Sequence, residues 1–253
     1  MSKVEEKLAK SLSAETTELI PHLPYLLQDL WELGSIPKDI AELISIHLPV
    51  PKKTKVLDLA CGKGAVSIYL AKTFSCHIKG IDIISEFISY AKKKAAKYSV
   101  EDLCEFEVED INNSVKIERK YDIVILGSVG DVLGNSVETI LKLKSTVNAK
   151  GYIFIDDAYS SYGFDERYPS RQRWIQVFKN VGVKLIAEKT IDDEELIYIN
   201  RFNQGHIIKR ANELKIKYPE KSGLFEGYIQ SQQREIDELE GETTGIIWLL
   251  QTI

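Results

Sequence analysis

Cysteine is scarce in this chain of 253 residues: Cys61, Cys76 and Cys104 are the three present, and no two of them form a Cys-x-x-Cys pair. That spacing excludes a disulfide framework and a zinc ribbon. The thiols fall on or beside expected strands, where a small buried side chain packs well. The four histidines, His22, His47, His77 and His206, are scattered and show no metal-ligand spacing. No run approaches the roughly eighteen apolar residues of a membrane span, and Met1 to Glu6 leads into no signal-peptide core, so a cytoplasmic protein without membrane association is expected. Positive charge is not in excess either. Thirty-eight acidic against thirty-three basic residues give a net charge of −5, which opposes the phosphate attraction on which most nucleic-acid binders depend. The one basic cluster, Lys92-Lys93-Lys94 with Lys97, reads as a solvated helix face.

The informative segment is Lys55-Val56-Leu57-Asp58-Leu59-Ala60-Cys61-Gly62-Lys63-Gly64-Ala65-Val66: an apolar strand ends in a carboxylate and a glycine turn, and a helix over 65–74 follows. Gly62 and Gly64 permit positive φ and let the backbone approach a bound molecule. The dinucleotide fingerprint needs a third glycine where Ser67 stands, and no Gly-Lys-Ser/Thr closes a phosphate loop. Three further strand ends follow. His77 to Ile83 carries Asp82 about twenty residues past the loop, the offset at which a carboxylate meets ribose hydroxyls. Cys104 to Glu109 runs into Asp110-Ile111, and Tyr121 to Leu126 opens into Gly127-Ser128-Val129-Gly130-Asp131.

These residues resemble the class I S-adenosylmethionine-dependent methyltransferases, over roughly residues 35 to 190. Their first motif is usually written Asp/Glu-x-Gly-x-Gly-x-Gly; here the first glycine is Ala60 and the other two are Gly62 and Gly64. The resemblance implies S-adenosyl-L-methionine as cofactor and S-adenosyl-L-homocysteine as product. It places Asp58, Ala60, Cys61, Gly62 and Gly64 on the glycine loop, Asp82 with Ile83 at the ribose, Asp110 with Ile111 at the adenine, and Gly127, Ser128 and the arm's Gly34 beside the reacting end. The chain lacks the Asn/Asp-Pro-Pro-Tyr/Phe motif of enzymes that modify exocyclic amines of nucleic acids, which favours a small-molecule acceptor. General similarity to small-molecule and ubiquinone-biosynthesis-type methyltransferases goes no further than that class.

Strands alternating with helices of ten to fifteen residues predict an α/β fold: a Rossmann-like three-layer sandwich with a mostly parallel sheet of seven strands. Gly151 to Asp156 and Val183 to Glu188 are its fifth and sixth strands, and the helix from Arg171 to Val181 stops at Gly182. Thr243 to Ile253 is the last strand, which the resemblance places antiparallel between the fifth and sixth. The whole reads as one methyltransferase domain: a helical arm over 1–36 across the cofactor pocket, a core over 37–190, a helical insertion over 191–242, and the last strand over 243–253. In the arm, Pro21 and Pro24 break one helical pattern and Tyr25 to Leu33 begins another. In the insertion, two helices divide near Tyr218-Pro219.

Methyl transfer from a sulfonium mainly requires orientation and exclusion of water, so no nucleophile triad is needed. A base within reach of the acceptor is the remaining requirement. Candidates are Asp131 after the fourth strand and Asp157 and Tyr159 after the fifth; Tyr25 and Trp31 of the arm could serve as bases or hold a cationic acceptor over their rings. No metal is assigned. A metal-assisted O-methyltransferase would use Asp131 with Asp156-Asp157, yet catechol-type enzymes carry Asp-Asn there. An adenosyl-binding protein without methyl transfer, acting as a sensor or partner subunit, is the reading from another class, and a nicotinamide oxidoreductase is disfavoured by Ser67. The acceptor and the oligomeric state are not legible.

Overall fold

The computed structural model describes residues 3–50, 52–160, 168–241 and 243–253. Helix α1 (Lys3–Ser11), a 3₁₀ turn (Thr17–His22) and the single-turn α2 (Leu23–Leu26) form the arm, and α3 (Pro37–His47) starts the core. Then come β1 (Lys55–Leu59), α4 (Ala65–Phe74), β2 (His77–Asp82), α5 (Ser85–Lys97), β3 (Cys104–Val108), α6 (Ile111–Ile117), β4 (Tyr121–Gly127) and α7 (Ser136–Thr146). The chain continues through β5 (Val147–Ser160), α8 (Arg171–Val181) and β6 (Val183–Thr190). The helical pair α9 (Asp193–Lys217) and α10 (Ser222–Gly241) then leads to β7 (Thr243–Thr252).

The sheet order is β3-β2-β1-β4-β5-β7-β6, with β7 antiparallel to both of its neighbours and the remaining pairs parallel. This is the fold expected, including the inserted last strand. The order reverses between β1 and β4, and the carboxyl ends of these strands and their neighbours gather the glycine loop and the acidic strand ends on one rim, as open α/β sheets do at a switch point. Burial explains the strand sequences. The central strands are covered on both faces, so Ile123 to Leu126 of β4 is a continuous apolar run, β1 is apolar from Val56 to Leu59 apart from Asp58, and Ile246 to Leu250 of β7 is fully buried. One face packs on α3, α4 and α5, the other on α7 and α8, where Trp174, Phe178 and Trp248 interlock.

A third apolar cluster lies above the sheet rim, where the arm's Leu19, Leu23, Leu26 and Leu30 meet Ile207 and Leu214 of α9 and Phe225 and Tyr228 of α10. Arm and insertion thus form one cap. Arg210 of α9 fastens it, donating to Asp29 at 2.6 and 2.7 Å and to Glu213 at 2.9 Å, while the Tyr25 hydroxyl donates to Glu213 at 2.6 Å. Helix starts are capped where the sequence supplies a side chain: Asn135 and Glu138 make a reciprocal capping box on α7, and Asp192 accepts from two amides at the head of α9.

Two local expectations change. No second arm helix forms over Tyr25 to Leu33: the helical turn ends at Leu26 and the chain continues in turns, because Lys63 of the core takes the carbonyls of Leu27 and Leu30 as acceptors. The fifth strand is also longer than its apolar run. Asp157 and Tyr159 lie inside it, opposite Ile246 and Thr244 of β7, because strand pairing continues through Ser160. Among the described residues no helix is long and apolar enough to cross a membrane.

Candidate functional site

Glycine permits what the loop after β1 requires. Gly62 and Gly64 have φ of +53° and +74°; a Cβ on Gly62 would stand 3.2 Å from Leu33 of the arm, and one on Gly64 would stand 2.9 Å from Ala91 and Phe106. Ala60, at the place of the missing first glycine, also adopts a left-handed φ of +56°. The loop therefore keeps the backbone path of a three-glycine turn, with the strain carried by alanine.

Two buried carboxylates shape this loop. Asp82 accepts the Gly62 amide at 2.9 Å through Oδ2 and the Ile84 amide at 2.9 Å through Oδ1. Asp58 accepts the Ser67 hydroxyl at 2.5 Å. Burial raises both, Asp58 to about 7 and Asp82 to about 6, and in each case hydrogen-bond donors oppose the shift. Ser67 thus has a positive role that sequence reasoning missed: its hydroxyl replaces a third glycine and ties α4 to the end of β1. Cys61 is half-buried on the cleft wall, and burial, reinforced by Asp58 and Asp82, pushes its thiol well above the ordinary range, which disfavours the reactive thiolate.

Lys63, inside the motif, also escaped the sequence reading. It is 3% exposed, its Nζ donates to Leu27 O at 2.5 Å and Leu30 O at 2.6 Å, and it lies over the rings of Phe87 and Tyr90. Burial lowers it to about 8. In return the Trp31 indole donates to Lys63 O at 3.1 Å and stacks on Tyr98. Lys94 of the basic cluster sits 4.4 Å over Trp31, so that cluster is not wholly a solvated face.

Around these groups lies a narrow cleft of about 120 Å³, lined by the glycine loop, Asp58, Asp82, Ile83, Asp110, Ile111, Gly127, Ser128 and the arm's Gly34. The structure therefore brings together every candidate cofactor residue except Gly64, which supports the cleft from behind against Ala91 and Phe106. Asp110 caps α6 by accepting the Asn112 amide at 2.8 Å. Gly34 and Gly127 are required by close approach, since a Cβ on the first would meet Ser128 at 2.5 Å and one on the second Ser35 Oγ at 2.1 Å. Small-ligand sites run to roughly 300–1,000 Å³, so the cleft is narrower than such a site, and Trp31, Leu33 and Gly34 of the arm are among the residues that narrow it.

A larger cavity of about 1640 Å³ opens between the ends of β4 and β5 and the cap helices, and it shares Gly34, Ser128 and Val129 with the cleft. Of the candidate bases, Asp157 lines it, and burial raises this carboxyl to about 6. Asp131 lines it too, but is exposed and pairs with Lys10 of α1 at 3.0 Å. Tyr159 stays outside the lining and packs toward Trp248. Tyr25 is committed to Glu213, whereas Trp31 borders the cleft. Among the described residues no three metal-ligating side chains gather. Sequence reasoning weighed Asp156 only as a metal ligand and missed Gln204 and Tyr228 on this cavity, because a buried polar group on an apolar stripe carries no periodic signal.

A parallel sheet with a reversed seventh strand, a left-handed glycine loop after β1 and a buried carboxylate closing β2 define a Rossmann-like, class I methyltransferase fold. The chain belongs to the family described as Methyltransferase domain, whose model matches residues 51–214; enzymes of this family use S-adenosylmethionine. It is 30% identical over 123 residues to a ribosomal protein L11 methyltransferase of Dictyoglomus thermophilum, a match spanning 47% of this chain and 40% of that protein. It is 36% identical over 70 residues to phosphoethanolamine N-methyltransferase 1 of Triticum aestivum, spanning 28% of this chain and 14% of that one. The matches thus cover less than half the length of these relatives. An S-adenosylmethionine-dependent methyltransferase from Thiobacillus denitrificans, solved with S-adenosyl-L-homocysteine, superimposes with a TM-score of 0.76 at 16% identity, over 92% of this chain and 98% of that one.

Proposed function

We propose that this protein transfers the methyl group of S-adenosylmethionine to a small-molecule acceptor held in the cavity between the sheet rim and the cap. One observation carries the reading: the cleft at the glycine loop and the larger cavity meet at Gly34, Ser128 and Val129, so donor and acceptor share one seam. The cleft suits an adenosyl ligand. Asp82 keeps a lone pair on each oxygen for ribose hydroxyls while it fixes the loop; Asp110 and Ile111 stand where adenine is read; the left-handed turn from Ala60 to Gly64 presents backbone to the amino-acid end. When bound, that group supplies an electrophilic methyl. The chain's own residues orient the acceptor and exclude water. The cavity is a recess bordered by arm, α8, α9 and α10 with an open mouth, which favours a small molecule over the ribosomal protein that the Dictyoglomus relative's name specifies.

Binding of S-adenosyl-L-homocysteine, measured by calorimetry and thermal stabilisation beside NAD, tests this. At a hundred times its dissociation constant the adenosyl ligand should add about 2.7 kcal/mol to stability. NAD should add nothing. Asp82→Ala, which frees the Gly62 amide, and Gly62→Val, which forces a branched side chain against Leu33, should each abolish the effect. Undiminished binding in both variants would remove the glycine loop from the site.

A further inference from the structure

The larger cavity is lined by two buried acids, Asp156 and Asp157, that have no basic partner among the described residues. Asp156, 6% exposed, stands opposite Gly127 in the pairing of β4 and β5, so it lies one strand spacing from the cleft lining, and the Ser128 amide donates to its carbonyl at 2.9 Å. Its Oδ2 is buried with no hydrogen bond. The charged groups facing it are acidic, Asp157 beside it on β5 and Asp39 on α3, and the latter is already paired with Lys189 at 2.8 Å. The Ser35 and Ser128 hydroxyls stand close enough to donate to the carboxyl and oppose the rise that burial causes, so it is Oδ2 that lacks a hydrogen bond. The basic residues around the cavity are occupied elsewhere or stand at its mouth. Lys7 donates to the carbonyls of Asp131 and Val132, Lys10 pairs with Asp131, Arg234 pairs with Glu15, and Arg173 is exposed. From the cap, two more buried atoms without hydrogen bonds line the same space: the Tyr228 hydroxyl and Gln204 Oε1, whose amide nitrogen is already given to Ile229 O at 3.1 Å.

On the cavity wall Asp156 Oδ2 and Gln204 Oε1 can only accept, the Tyr228 hydroxyl can accept or donate, and the Trp174 indole N–H can only donate, and leaving such buried atoms unmatched is costly. The complementary ligand is a cation rich in N–H groups. We infer that the methyl acceptor is an amine, entering as its ammonium, with Asp156 as the carboxylate that holds the nitrogen at the seam and takes its proton. The inference rests on the methyl-transfer reading above and names its substrate class. In the step itself, an ammonium N–H proton passes to Asp156. The freed nitrogen lone pair forms the N–C bond as the C–S bond breaks, the bonding electrons stay on sulfur, and the proton leaves Asp156 to water when the product departs. Burial with two acidic neighbours raises Asp156 to about 7, which suits a group that gains and loses a proton near neutrality. An alcohol has no cation to offer that wall, and a carboxylate would be repelled by it.

The test uses protein loaded with S-adenosyl-L-homocysteine and three probes of one shape, 2-phenylethylamine, 2-phenylethanol and phenylacetate, titrated by calorimetry at about pH 8. The amine should bind roughly tenfold or more tighter than the alcohol, as a charge-assisted contact requires. Asp156→Asn should shrink that preference to under roughly threefold, because the amide keeps the shape and loses the charge. A second arm needs no variant. In the unaltered protein, lowering the pH from about 8 to about 5.5 protonates Asp156 and then Asp157 while the amine stays cationic, so amine binding should weaken and alcohol binding should not. Equal or tighter binding of the alcohol or the carboxylate, no amine binding, or a preference indifferent to both Asp156→Asn and pH overturns the proposal. Failure to load S-adenosyl-L-homocysteine at all would instead strike the methyltransferase reading on which it stands.

Discussion

Asp58→Asn should make this protein more stable, by an amount that grows with pH. Asp58 is 4% exposed, and the cause of its shift from 3.8 to about 7 is burial, opposed by the Ser67 hydroxyl and reinforced by Asp82. A carboxyl whose folded pKa lies above its unfolded value contributes stability that is complete below the unfolded pKa and is lost as pH rises through the folded one. The window for Asp58 is therefore about pH 4 to 7. At about pH 8 the shift corresponds to about 4 kcal/mol, at about pH 5.5 to about 2, and near pH 4 to well under about 1. Asparagine removes the charge, keeps the shape and still accepts from Ser67, although a neutral acceptor holds that bond less strongly by about 1 kcal/mol. The expected net gain is then about 3 kcal/mol at pH 8, falling to about 1 at pH 5.5. Urea unfolding at both pH values, with the slope m checked for constancy, measures it. A variant destabilised at pH 8, or one with the same change at both pH values, would refute the view that Asp58 is held charged at a cost.

Other perturbations follow from the same geometry. Ala60→Gly should raise the urea midpoint by an amount equivalent to about 0.5–1 kcal/mol, because φ of +56° costs alanine about 1–2 and glycine little, less glycine's greater unfolded freedom; a lowered midpoint would mean the methyl is needed. Lys63→Met should change global unfolding by less than about 2 kcal/mol at neutral pH, since the lost carbonyl contacts and the relieved burial of a cation oppose each other. Limited proteolysis within the arm should nevertheless accelerate, and unchanged arm protection would show that Lys63 is not its fastening. Arg210→Met should let the Asp29 carboxyl titrate higher, because the Arg210 guanidinium holds it below the ordinary carboxylate range; carboxyl NMR reads this directly, and an unmoved titration would assign the shift to His206.

The parts of the site that repeat a backbone requirement were legible in the sequence. Positive φ at Gly62 and Gly64 and a carboxylate closing the next strand leave a spacing that few other structures need, so the loop and Asp82 followed from it, while the place of the last strand came from the resemblance to the methyltransferase family. The groups that act through tertiary contact left no such trace. A lysine at position 63 reads as solvated, because nothing in its neighbours along the chain announces the arm carbonyls more than thirty residues away that desolvate it. Asp157 is legible as a candidate base but reads as lying after the fifth strand, since pairing with β7, far away in sequence, is what prolongs that strand through Ser160. Tyr25 to Leu33 has helical spacing, but a turn wins there because its carbonyls find a buried ammonium instead of the next turn of helix.

The place of β7 has a consequence for how the protein is made. Among the described residues β6 is bonded only to β7, and β7 follows it in the chain after the whole of α9 and α10. During synthesis β6 therefore emerges as an edge without a partner, and the half of the sheet that carries Asp156 remains open along β5 as well until the last strand slots between the two. The helical pair covers that interval: it leaves the ribosome first and can dock on the arm, whose apolar residues are already waiting. Long-range antiparallel closure of this kind is slow and exposes strand edges while it waits. A ribosome paused within α10 would hold a chain whose glycine loop is built and whose proposed acceptor wall is not, so the ability to bind the adenosyl ligand should appear in the nascent protein before any ability to bind in the larger cavity.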